Sequence, residues 1–129
     1  MSWNDHGIGT ETTGADLLEG RRVTFNAEGE VVYAPVDDLG IGSTRTPQKS
    51  GEDVGVAYWN KPGTHHLTAS DSFAVGQPVY AAAEGMVSAL PVAAGDYIKV
   101  GVALEPAAEA GDVVEILPVE SGKVVTVAG

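Results

Sequence analysis

The chain has 129 residues, of which 43% are hydrophobic and 6% aromatic, with a formal net charge of −11; this bounds it to one domain with room for a single modest core and not two. Lys and Arg total 7 against 18 Asp and Glu, so the basic patch that nucleic-acid binding through phosphates requires is missing. Cysteine is absent, which excludes disulfides, a thiolate nucleophile and Cys-based zinc or iron-sulfur sites, and no apolar run approaches the roughly 20 residues of a membrane helix.

Taken in order, Met1 to about Gly20 is polar and Gly/Thr-rich without a sustained apolar period, and reads as an extended, flexible N-terminal arm. It has no basic segment followed by an apolar one, so no signal peptide is expected. Trp3 and Ile8 are its apolar exceptions. Either they fold back on the chain's own barrel, or they anchor the arm on a partner surface. Asp16 to Glu19 is too short for a helix that stands alone. Arg21 and Arg22, most simply a solvated pair, lead into a short strand, Val23 to Phe25; Asn26 to Gly29 turn the chain, and Val31 to Tyr33 return it.

Val36 to Asp53 reads as one long loop, a length that in a small domain tends to be functional or mobile. Within it, Gly40-Ile41-Gly42-Ser43-Thr44 lacks the Lys and the glycine spacing of a phosphate-binding loop. Asp37 and Asp38 lack the alternating spacing of a calcium loop, and read as turn residues. Val54 to Trp59 is a strand whose large end residues, Tyr58 and Trp59, are either core plugs or subunit-interface anchors. Asn60 to Gly63 turn the chain into His65 and His66. Neighbours on a strand face opposite ways, so the histidine pair predicts one exposed ring and one partly buried ring, and no metal site.

The stretch from Phe73 to Val119 carries the clearest pattern. Gln77 to Ala82 and Met86 to Leu90 form a predicted hairpin about Glu84 and Gly85. Tyr97 to Leu104 alternates with period two, placing Ile98, Val100, Val102 and Leu104 on one face. Val113 to Leu117 follows Gly111-Asp112 and stops at Pro118, and Val124 to Val127 adds a last strand. No nucleophile elbow or His-Glu-x-x-His motif is present. The carboxylates fall in or beside turns, so the chain is not expected to be an enzyme. A second class, a small acidic ligand-binding or carrier module, would use Lys123, but that residue lies near the C-terminus rather than at a central hairpin tip.

Three segments together resemble the capsid-cement or head-decoration proteins of tailed bacteriophages: Val75-Gly76-Gln77-Pro78-Val79-Tyr80, Gly101-Val102-Ala103-Leu104, and Ala108 with Ala110-Gly111-Asp112. Glu28 to Pro35 is similar to the family's first barrel strand. The resemblance implies an all-β fold, a small β-barrel or β-sandwich over 28–129 with the arm over 1–27. It also implies a homotrimer on the outer capsid surface whose partner is the major capsid protein, with no cofactor, no metal, no nucleic acid and no membrane. On that basis Trp3, Ile8, Arg21 and Arg22 are candidate capsid contacts, and Tyr58 and Trp59 candidate subunit-interface residues. The protein would be made in the host cytoplasm and end in the virion.

Overall fold

A computed structural model describes residues 6–128 of the protein. The fold is all-β, as expected, and made of two antiparallel sheets that divide the chain. The N-terminal lobe holds β1 (Ile8–Thr12), β2 (Arg22–Phe25), β3 (Val31–Tyr33), β4 (Gly42–Thr44) and β5 (Asp53–Tyr58), in the order β1-β5-β4-β2-β3. The C-terminal lobe holds β6 (His65–Thr68), β7 (Pro78–Ala81), β8 (Val87–Ser88), β9 (Gly95–Ala103) and β10 (Val113–Leu117), in the order β6-β10-β9-β7-β8, with β11 (Val124–Val127) added along the start of β9.

These two orders are the same order. Each sheet also curls until its edges touch, through a parallel bridge of Thr13 to Val31 in one lobe and of Ala69 to Val87 in the other. The backbone bonds repeat too. Gly51 N–H donates to Thr13 and Gly111 N–H to Ala69; Gly20 N–H donates to Thr44 and Gly76 N–H to Ala103. The protein is therefore an internal duplication. A faint sequence echo accompanies it, Ala27-Glu28-Gly29-x-Val31 against Ala83-Glu84-Gly85-x-Val87 and Pro35-Val36 against Pro91-Val92, at one constant interval.

Several expectations are corrected. Residues 8–27 are not an arm: β1 pairs with β5 over its whole length and β2 lies between β3 and β4, so the boundary at 27/28 cuts through a sheet. The polar alternation of Ile8 to Thr12 hid a strand because only one of its residues is a large apolar group. The 36–53 loop contains β4, which pairs with both β2 and β5. Its Gly-Ser-Thr sequence has no apolar signature, and Gly42 is required there because a Cβ would lie 2.1 Å from the Ala57 carbonyl. The single core is two clusters, Leu17, Val23, Val31, Val54 and Val56 in one lobe and a larger group including Leu67, Val79, Val87, Val100 and Ile116 in the other. The period-two reading of 97–104 holds only to Val100. The β7–β9 register skips that residue, a bulge after which Ala103 points inward and Leu104 outward.

Candidate functional site

Where the lobes meet, the first lobe presents one row of cross-strand neighbours, Arg22, Ser43 and Ala57. Such a row would ordinarily face water. Here all three are buried, with Arg22 at 0% exposure. The Arg22 guanidinium donates to six main-chain carbonyls: Ala34, Pro35, Asp38 and Leu39 of its own lobe, and Ala82 and Met86 of the other. A buried cation is tolerable only when its donors are satisfied, and the planar five-donor fork suits a ring of carbonyls. Desolvation lowers its pKa to about 10, partly offset by Asp38, and it remains charged at neutral pH.

The receiving element is the β7–β8 corner, a single 3-10 turn over Ala83–Gly85 in which Glu84 and Gly85 both have positive φ, 55° and 73°. Gly85 N–H donates to the Ala34 carbonyl at 2.9 Å, and Arg21 Nη1 donates to the Glu84 carbonyl at 3.0 Å. Thr68 N–H donates to Gly20 at 2.8 Å. Ser43 Oγ lies 2.7 Å from His65 Nδ1. The His65 ring packs 4.7 Å from Trp59, whose Nε1 donates to the Gly40 carbonyl at 2.9 Å. Burial, with the nearby Lys61 charge, holds His65 down to about 4, against a smaller upward pull from the Tyr58 carbonyl; its Nε2 is buried without a well-formed hydrogen bond. An open cleft of about 590 Å³ runs along this junction, walled by Ser43, Arg45, His65 and His66.

The residues singled out from sequence are distributed as follows. Trp3 lies outside the described residues. Ile8 opens β1 with its side chain 37% exposed. Arg21 is half-buried, its guanidinium 5.1 Å from the centre of the Tyr33 ring. Arg22 cannot be a capsid contact, because it is fully buried between the lobes; that expectation is corrected. Tyr58 covers Gly9, and its hydroxyl bonds to Glu11. Desolvation, then that carboxylate, pushes the phenol up to about 12. Trp59 plugs the junction within one chain and packs on the C-terminal core. His65 is buried and His66 exposed. Among the described residues, no group of three or more His, Cys, Asp or Glu side chains could hold a metal ion, and no helix is long and apolar enough to cross a membrane. The junction contains no paired nucleophile and accessible base: Ser43 is itself buried, 3% exposed.

A profile of the phage cement protein family matches residues 4–118, nearly the whole chain. The chain belongs to the phage cement protein family. A cement protein is a structural component associated with the phage capsid, and the family is not one of enzymes. A solved structure, the head fiber gp8.5 N base in bacteriophage phi29, shares the fold with a TM-score of 0.70, at 14% identity, over 90% of this chain and 96% of that one. A search of curated protein sequences gives no match. The two-lobed body is thus the architecture of a cement protein, and Arg22 is the joint inside it.

Proposed function

We propose that the protein binds the outer surface of the mature phage head as a homotrimer at three-fold or quasi-three-fold positions and stabilises the shell by bridging neighbouring subunits of the major capsid protein. Membership of the cement family over residues 4–118 is the observation that supports this reading most. Binding needs no chemistry. Three linked subunits engage together, and each link makes the next contact intramolecular, multiplying apparent affinity by ~10²–10⁴ without any single strong contact. The N-terminal segment carrying Trp3, with Ile8 at its base, supplies apolar anchors toward the coat. A site spanning a junction between coat subunits exists only once the lattice has matured, which would restrict the protein to the finished head.

Co-sedimentation with mature heads stripped of the protein tests this. Saturation at a fixed ratio to the coat subunit supports decoration, and the ratio identifies the symmetry position. Heads that pellet without it remove the proposal. Removal of residues 1–5 is expected to weaken binding and leave the two lobes folded; undiminished binding would exclude the anchor role of Trp3.

A further inference from the structure

The duplication makes the inter-lobe joint informative about surfaces outside it. Register fixes the equivalences. Arg22 pairs with Ser43 and Ser43 with Ala57 in the first lobe, and Pro78 pairs with Val102 and Val102 with Leu117 in the second. The first row is buried against the other lobe. The second row, its structural counterpart, faces outward: Pro78 is exposed, Val102 half-buried and Leu117 39% exposed. It is apolar throughout, and Leu104 and Val75, also exposed, flank it in sequence.

The opposite half of the joint has a counterpart as well. The Ala82–Met86 corner is closed by a bond from Ala82 N–H to Met86, and the Asn26–Glu30 corner by the same bond from Asn26 N–H to Glu30. The first of these corners is filled: a Cβ on Gly85 would meet the Arg22 carbonyl at 2.4 Å. The second is open, with nothing among the described residues within 4 Å of a Cβ on Gly29. Glycines on the other side of the joint repeat the contrast. A Cβ on Gly20 would meet the His66 carbonyl at 3.3 Å across the joint, whereas one on its counterpart Gly76 would meet nothing within 4 Å among the described residues. Every chain therefore carries one unused copy of each half of the joint it already contains, and the two copies lie on different lobes.

We infer that a second copy of this chain occupies the Pro78–Val102–Leu117 face with its Asn26–Glu30 corner, repeating between molecules the contact that joins the lobes within one. Such a contact is heterologous, and heterologous contacts that close generate rings. Three chains would make a ring of six alternating lobes. The intermolecular joint lacks an arginine, since Pro78 stands where Arg22 does, so it is held by apolar contact and is weaker and more readily assembled in place. Phe25, 46% exposed and next to Asn26, is the apolar group on the incoming corner. This deepens the homotrimer of the proposed function by assigning its interface.

The chain has no cysteine, so introduced thiols report on this contact alone. Gln77 is the counterpart of Arg21, which reaches Glu84, and Glu28 is the counterpart of Glu84. The double variant Gln77→Cys/Glu28→Cys, treated with a short bismaleimide in concentrated solution and on heads, is expected to give a ladder of linked chains ending at the ring size. Mixing the two single variants should give linked dimers, and each alone none. Leu117→Glu, on an exposed position that the fold does not need, should weaken self-association at least tenfold in sedimentation velocity, with an unchanged far-UV spectrum. A trimer that forms no crosslink and ignores Leu117→Glu overturns this interface while leaving the homotrimer standing. Monomers in solution and on saturated heads overturn both, and head binding itself is read separately from the pellet.

Discussion

Arg22 shows how a charged residue becomes a structural element. Its cost of burial is met by six carbonyls drawn from two lobes, and removing the guanidinium would leave those acceptors to compete for water in a closed space. Arg22→Met is expected to destabilise the protein by about 3 kcal/mol, read as a shift in the urea midpoint, and Arg22→Lys to recover less than half, because three donors on a point charge cannot span that ring. A variant as stable as the parent would show that the joint does not depend on the arginine. His65 gives the joint a pH dependence. Its native pKa of about 4 lies below the ordinary value of 6.5, so between those limits the unfolded chain binds a proton that the native protein does not. Stability is therefore complete above pH 6.5 and falls as the pH drops toward 4, by on the order of 2 kcal/mol. Carboxylates titrate in the same window, so the check is a comparison: His65→Gln should flatten the fall, and parallel pH profiles would remove His65 from the account.

At the scale of elements, the two Glu-Gly corners offer a controlled comparison. Gly29 and Gly85 both sit at positive φ, 77° and 73°, so an alanine at either incurs about 1–2 kcal/mol of left-handed strain. Only Gly85 also lies against the Arg22 backbone. Gly85→Ala is expected to lower stability by about 3 kcal/mol or more, the clash adding to the strain, and Gly29→Ala by about 1 kcal/mol. Thermal melts of the two variants decide it, and equal losses would mean the joint is not tightly packed. The Glu-Gly turns were legible in the sequence, as were β2, β3, β5, β10 and β11, because apolar residues bounded by turn formers announce a strand wherever one face is buried. β1 and β4 were not. The first is polar along most of its length and is held by pairing with β5, and the second is three small residues whose place depends on strands distant in sequence. Arg22 read as a solvated charge for a related reason: nothing near it in sequence supplies the carbonyls that satisfy it. The duplication is not legible in the sequence because the lobes share only a few turn residues and buried valines while their facing rows diverged from Arg-Ser-Ala to Pro-Val-Leu.

The molecule as a whole is two small curled sheets, and the smaller core cluster has five buried apolar side chains, Leu17, Val23, Val31, Val54 and Val56. A lobe of that size buries too small a fraction of its surface to be stable alone. Its stability must come in part from the joint, where Arg22, Ser43 and Ala57 are shielded by the neighbouring lobe and Trp59 and Leu39 pack on the larger core. The two lobes should therefore unfold as one cooperative unit. Scanning calorimetry of the intact protein is expected to show a single transition whose van't Hoff and calorimetric enthalpies agree. In Arg22→Met the coupling is weakened at its centre, so the N-terminal lobe should melt first and the single peak should broaden or divide. A parent protein that already melts in two steps would make the lobes independent bodies, and the joint would then hold them in position without holding them folded. One step in the parent and two in the variant would mean that an arginine, where the second lobe has proline, is what makes a duplicated fold behave as a single subunit.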